Sequence, residues 1–345
     1  IRTKDNDTVS EGQAYAMLRA VWMHDKKTFD RCYRWTEKHL SRKRRGKDHL
    51  LSWRWKDGEV TDANSASDAD IDYALSLVFA QRLWKNRAPR GLEDYGKKAK
   101  QILADILEFE TYRTRKGRLY LSPWVLDPSQ KYLRFPVNPS YYSPAHFRIF
   151  YQFTNDRRWK ELVETTYYVL FSLLDSLGDP PSPGSGNTKK QASEGKKGVG
   201  LLPDLFSVDE DDRFFPLEGR NSGFGWEAVR IVFRIAMDYH WFRSESALKF
   251  FESSFSEFIE KQYSNNGVLF CEYEYSGKPV REYESPLFYA AYHCALAVVK
   301  SRHTSSLLDK TRGYLVKYRT VKQKQSPVFL TIPALNPSPS HARLF

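Results

Sequence analysis

The stretch Ala66-Ser67-Asp68-Ala69-Asp70-Ile71-Asp72-Tyr73-Ala74-Leu75-Ser76-Leu77-Val78-Phe79-Ala80-Gln81-Arg82-Leu83-Trp84 decides the reading of this chain. Ala74, Leu75, Leu77, Val78 and Leu83 recur at helical spacing, so an apolar helix follows three closely spaced acids. Ser67 or Asp68 is placed to cap that helix, and acids in a first turn complement the positive end of the helix dipole. One cap accounts for one acid and leaves two. Just upstream, Trp53-Arg54-Trp55 alternates so that both rings face one side of an extended segment. That suits a stacking platform, and packing beneath a loop suits it nearly as well.

Helical periodicity extends outward from there. It runs through Ala14 to Trp22, Tyr95 to Leu107, Trp159 to Leu174, Trp226 to Met237, Leu248 to Ile259, Tyr289 to Val299 and Leu307 to Tyr318. Alternating strand patterns are short; Gly117 to Leu121 and Val268 to Tyr275 read as small hairpins between helices. Long connections rich in Pro, Asn, Asp and aromatics cover Leu121 to Pro144 and Leu202 to Gly225, and loops of that length are usually functional. Gly178 to Gly200 reads as a mobile Pro/Gly/Ser/Lys-rich surface insertion, and residues 326–345 as a loosely attached tail. The expectation is one all-α domain over residues 1–325 with a loop-built face.

Composition narrows the classes. The 345 residues are 41% apolar and 28% charged, a globular balance that excludes a disordered or collagen-like chain. Aromatics reach 15%, more Tyr and Trp than a core needs, and such rings often line a groove for ligands with apolar faces and polar edges, such as sugars or nucleobases. The net charge of +12 includes the run Arg42 to Lys47 and the pair Lys196-Lys197. These read as solvated surface, or as attraction to nucleic acid, an acidic polymer or a membrane surface; no nucleic-acid motif accompanies them. Cys32, Cys271 and Cys294 form no CxxC pair, which argues against zinc and a redox dithiol. No run approaches the ~18 apolar residues of a spanning helix. No signal-peptide pattern is visible, and with the chain opening at Ile1 this says little about compartment.

HExxH, Walker, dinucleotide and GxSxG patterns are absent, and the eight His are scattered. What remains are carboxylates at element boundaries among aromatics. Thr8-x-x-Glu11 fits a capping box. Alternatively, Glu11 is an acid whose burial beside rings raises its pKa and keeps it a proton donor. In Phe224-Gly225-Trp226-Glu227-Ala228-Val229-Arg230, Glu227 opens an apolar helix and can pair with Arg230 at i,i+3.

Taken together, these segments resemble glycoside hydrolase family 8. Ala66 to Trp84 is similar to that family's signature. SEGQAYAM at Ser10 to Met17 resembles its proton-donor segment, and GFGWEAVRIVFRIAMD at Gly223 to Asp238 its catalytic-base segment. NPSYYSPAHFRIF at Asn138 to Phe150, LLPDLFSVD at Leu201 to Asp209 and SPLFYAA at Ser285 to Ala291 resemble its middle loops and C-terminal helix. The WRW…NSASDAD stretch is most similar to members tied to bacterial cellulose production.

The resemblance implies an (α/α)6 barrel with a cleft across one end, edged by long loops and small hairpins. It implies inverting hydrolysis of β-1,4-linked glycans by an endo-acting, cellulase-like enzyme, without metal or cofactor. Glu11 corresponds to the general acid, and Asp68 or Asp70 to the residue that binds and distorts the sugar. Glu227 falls where the family commonly has an Asp as general base; Trp226 replaces the usual Tyr before it, and Ala16 replaces a usual Gly. Tyr15, Trp53, Trp55, Trp124, Tyr141, Trp226 and Arg230 are the expected substrate-binding residues. The expected partner is a β-linked polysaccharide, with no nucleic acid, and the expected setting is periplasmic or extracellular, as a monomer, in connection with an exopolysaccharide synthesis or export complex. Hydrolysis of a related bacterial exopolysaccharide, a chitosanase, a xylan-directed enzyme, or a weakly active or inactive glycan-binding component of an export system are the alternatives. The positive charge disfavours polycationic chitosan at low salt.

Overall fold

The computed structural model describes residues 5–46, 48–85, 87–176, 198–216 and 223–322. The expected insertion lies outside them except for residues 198–200, and the expected tail lies outside them entirely. Eleven α-helices are described: α1 Ser10–Trp22, α2 Lys26–His39, α3 Ser67–Trp84, α4 Tyr95–Phe109, α5 Pro144–Thr154, α6 Arg158–Ser176, α7 Val229–Phe242, α8 Glu245–Phe251, α9 Ser254–Asn266, α10 Pro286–Val298 and α11 Thr304–Lys322. Ten short strands lie between them: β1 Thr8–Val9, β2 Arg54–Lys56, β3 Glu59–Asp62, β4 Thr111–Arg113, β5 Leu119–Leu121, β6 Phe135–Val137, β7 Phe206–Val208, β8 Phe214–Pro216, β9 Glu272–Tyr273 and β10 Pro279–Arg281.

The helices form two layers. Most residues of α3 and α10 are buried, so these helices sit inside. Helices α1, α3, α5, α7 and α10 contact one another in that order. The more polar α2, α4, α6, α8 and α11 each back onto the preceding inner helix. One apolar core runs from Ala14 to Leu307. Helix starts follow their chemistry. Asp25 caps α2 by accepting from the Thr28 N–H at 3.0 Å, and Pro144 and Pro286 open α5 and α10, where a missing N–H costs nothing.

Three sequence expectations change. The helix expected over Leu248 to Ile259 is two helices, α8 and α9. Ser253 is extended between them, and its hydroxyl donates to the Phe250 carbonyl at 2.5 Å. Helix α3 has Ala66 at its cap position and so no side-chain cap. The Ser67 hydroxyl instead donates to the Ser122 carbonyl at 2.7 Å, and Asp68 accepts from Ala69. The third is Asp70. At about 100° per residue, positions two apart on a helix lie on nearly opposite faces, so Asp68 and Asp70 part company. Asp70 is fully buried, and its Oδ1 accepts from the Leu51 N–H at 2.9 Å.

Asp70 belongs to a buried polar knot behind α3. Glu110, also fully buried, accepts from the Ser65 hydroxyl at 2.6 Å. Arg42 pairs with Asp48 at 2.8 Å and donates to the Ala63 carbonyl at 3.1 Å. The first residue of the basic run is thus 5% exposed and structural, not solvated surface. Burial pushes both the Asp70 and Glu110 carboxyls well above the usual range. Asp70 raises Glu110 further, Asp48 adds to both, and Arg42 opposes. Asp70 Oδ2 and Glu110 Oε2 have no hydrogen-bond partner among the described residues, as suits neutral acids.

A carboxyl raised by folding stabilises the native state fully below its unfolded pKa. That contribution is lost as pH climbs towards the raised value, because only the unfolded chain ionises freely. Glu110→Gln keeps the shape and an acceptor for Ser65 and cannot ionise. It should reduce the fall in unfolding free energy between pH 5 and pH 8, by roughly 1.4 kcal/mol for each unit by which the acid is raised. An equal or steeper fall in the variant would show that Glu110 is not held neutral.

Candidate active site

A three-stranded sheet fixes Glu11. Strand β1 pairs with β2 in the register Thr8↔Trp55 and Val9↔Arg54, and β2 pairs with β3. The Ser10 N–H then donates to the Trp53 carbonyl at 2.9 Å, and the Trp53 N–H donates to the Asn64 carbonyl at 2.7 Å. Trp53 is thereby clamped between the starts of α1 and α3, and its indole Nε1–H donates to Glu11 Oε1 at 3.1 Å. The capping box expected of Thr8 and Glu11 does not form. Val9 occupies the cap position without a side-chain bond, and the Glu11 carboxylate takes the indole and the Ser10 hydroxyl instead.

Opposite, α3 and α7 are joined by two charged rungs. Arg230 Nη1 donates to Asp68 Oδ2 at 2.5 Å, and Arg234 holds Asp72 with two bonds of 2.9 and 3.1 Å. Each helix supplies its pair at i,i+4, one above the other on a single face. Arg230 also donates to Glu227, confirming the i,i+3 pair. Glu227 lies in the turn before α7 rather than in its first turn. Its side chain is 44% exposed, against 0% for Asp68.

A second sheet brings two more groups to that turn. Strand β6 pairs antiparallel with β7 in the register Phe135↔Val208 to Val137↔Phe206. The residue leaving β6 is Asn138, whose Nδ2–H donates to Glu227 Oε2 at 2.8 Å. Two residues before β7 stands Asp204, whose Oδ1 accepts from the Ala228 N–H at 2.7 Å.

Aromatic rings surround the cluster. Tyr141 lies with its ring centroid 5.0 Å from the Arg230 guanidinium, in the field of Asp68, Glu227 and Glu11. Tyr15, 40% exposed, lies near Asp72 and Arg234. Trp226, 47% exposed, donates through Nε1 to the Tyr283 hydroxyl at 2.6 Å, and the two rings stack at 6.4 Å. The contacts of Trp55 are to Trp35 and His39 of α2, both at 5.5 Å, which favours packing over a platform for this ring. Trp124 is half-buried, and its carbonyl accepts from Ser122.

The family model for glycosyl hydrolases family 8 matches residues 2–178. This chain belongs to that family. Among relatives, Endoglucanase A of Acetivibrio thermocellus is 28% identical over 247 residues, which are 70% of this chain and 44% of that protein. Endoglucanase 2 of Ruminiclostridium josui is 30% identical over 249 residues, 70% and 45% of the two chains. The family 8 chain therefore spans less than half the length of these relatives. The structure of an endo-1,4-D-glucanase from Vibrio fischeri superposes with a TM-score of 0.73 at 22% identity, covering 91% of this chain and 82% of that one. The fold is the (α/α)6 barrel.

The electrostatics of this family 8 cluster are uneven. Burial lifts the Glu11 carboxyl to about 7 and the charge of Asp68 adds to it, while the Trp53 bond and Arg230 hold it down. Burial likewise raises Asp68, against the pull of Arg230 and Arg234. Asp204 is lifted to about 6, first by burial and then by Glu227. Sequence reasoning missed Asp72, Arg234, Asn138 and Asp204. The first two carried a signal: Asp68/Asp72 and Arg230/Arg234 are like charges at i,i+4 in helices rich in apolar residues, which calls for partners.

Removing one member of the Asp72–Arg234 rung leaves a charge buried alone. Arg234→Met should cost about 3–5 kcal/mol in urea unfolding, and adding Asp72→Leu should recover much of it. A loss below about 1 kcal/mol would mean that the rung carries little of the barrel's stability.

Proposed function

We propose that this protein is an inverting, endo-acting hydrolase of β-1,4-linked glucan of the cellulose type. The observation that carries the reading is the single chain of contacts from Asp68 through Arg230 to Glu227, with Glu11 close enough to Asp68 to be raised by it. Two of these carboxyls differ in the way an acid and a base must. Glu11 is held by the Trp53 indole and the Ser10 hydroxyl, and burial keeps its proton on to about pH 7, so it donates to the leaving glycosidic oxygen. Glu227 is half-exposed and receives donors from Arg230 and Asn138, so it is held as an acceptor facing the attacking water. Asp68, already gripped by Arg230, accepts hydroxyls of the sugar at the cleavage point and favours its distortion.

Tyr15, Tyr141, Trp53 and Trp226 offer ring faces and polar edges around those groups, as a sugar requires. The family relatives named as endoglucanases support glucan as the polymer. Such a polymer is met outside the cytoplasm, where we place the protein. No helix among the described residues is long and apolar enough to cross a membrane.

Reducing-end release from carboxymethyl cellulose, mixed-linkage glucan, xylan and chitosan tests the reading. Release from the glucans is expected, falling by at least about 1,000-fold in Glu11→Gln and Glu227→Gln. Full activity in Glu11→Gln, or polymer binding with no shortening over long incubation, would contradict it. The alkaline limb of kcat/KM should fall near pH 7 as Glu11 loses its proton. Trp53→Phe deletes a donor that favours the carboxylate, so this limb should move upward; a limb that stays or moves down would remove Glu11 from the acid role.

A further inference from the structure

Asp204 has no part in the mechanism above, yet its carboxylate is built into the turn that carries Glu227. Its Oδ1 accepts from the Ala228 N–H at 2.7 Å, and the same carboxylate packs against Gly225. Those two peptides bracket Trp226-Glu227. Helix α7 has no cap of its own: Ala228 occupies the cap position and offers no side-chain acceptor. Asp204 supplies that acceptor from a different segment, carried there by the pairing of β6 with β7. The approach is close. A Cβ added at Gly225 would stand 3.2 Å from Asp204 Oδ2, so only glycine leaves the carboxylate this seat without a shift.

The other side of the turn is pinned as well, by the mutual backbone bonds of Phe224 and Tyr273 at 2.9 and 3.1 Å. The tip of the Glu227 side chain is tied by Arg230 and Asn138. Tip contacts alone fix a direction; the origin of the side chain is fixed by whatever holds its peptide. Here that is Asp204. Its carboxylate also lies in the field of Glu227 and Arg230 and titrates near 6.

We propose that Asp204 is a positioning residue for the reaction, bonded to the peptide after Glu227 and packed against Gly225 before it, so that the longer glutamate places its carboxylate at the distance the attacking water needs. This rests on Glu227 being the base. A displacement near 1 Å at such a group costs on the order of 100-fold.

The test compares Asp204→Ala and Asp204→Asn, alone and combined with Glu227→Gln, on carboxymethyl cellulose, with thermal transitions recorded for each. Asp204→Ala should lower kcat about 30–100-fold with KM within about threefold, because bound sugar is not what Asp204 touches. Asp204→Asn keeps one acceptor and should recover to within about tenfold of wild type. In the Glu227→Gln background, Asp204→Ala should cost less than about threefold more, since it acts through the same group. If Asp204→Ala loses its cooperative transition, Asp204→Asn carries the test, with a fall in kcat of about 3–10-fold at constant KM. Unchanged kcat in the folded Asp204 variants, while Glu227→Gln is inactive, would overturn the role of Asp204 alone. So would an equal penalty in both backgrounds. Undiminished activity in Glu227→Gln would overturn the assignment of the base, and the role of Asp204 with it.

Discussion

The two charged rungs between α3 and α7 set the terms for everything around them. Burying Asp68, Asp72, Arg230 and Arg234 between inner helices strips four charges of water, and each is tolerable only because its partner stands opposite. That demand fixes the rotation of both helices and their offset along the axis. A one-residue turn of either helix would swing its charges by about 100° into apolar packing. The Asp68–Arg230 rung reaches Glu227; the Asp72–Arg234 rung is buried, with His146 of α5 3.4 Å from Asp72. Burial pushes that imidazole well below its usual range, and Arg234 adds to the effect, so it adds no further charge to the knot.

From this frame the functional groups follow by short covalent steps. Glu227 is three residues before Arg230, and Glu11 is placed by a sheet whose other strand leads to the indole that binds it. The small sheets are too short to form a core layer. Their work is to set registers: β1 with β2 for Trp53 against Glu11, and β6 with β7 for Asn138 and Asp204 against the Glu227 turn. Helices give the barrel its rigidity, and the short strand pairings place the side chains of the candidate site.

Much of this was legible in the sequence, and the exceptions have physical causes. The long periodic helices were readable because an inner helix is apolar all round and an outer one carries a stripe. Helix α2 escaped because Phe29 and Tyr33 are its only fully buried apolar residues in a strongly polar run. Helix α5 was hidden inside an aromatic, Pro-rich stretch that reads as loop, although Pro144 is a regular helix opener. Glu11, Asp68, Tyr141, Glu227 and Arg230, each singled out in the sequence, lie together in the structure. Asp70 was grouped with Asp68 by proximity in sequence, which a helix does not respect. Asn138 and Asp204 were out of reach, since only the pairing of β6 with β7 brings them to Glu227.

Stereochemistry is the most direct measure of the central claim, that Glu11 and Glu227 stand on opposite sides of a space holding one water. Proton NMR of a soluble cello-oligosaccharide digest, followed from the first minutes, separates the anomers before they equilibrate. The account predicts that the α-anomer is released first. First release of the β-anomer would mean retention, hence two carboxyls only about 5–5.5 Å apart with one acting as nucleophile, and would contradict it.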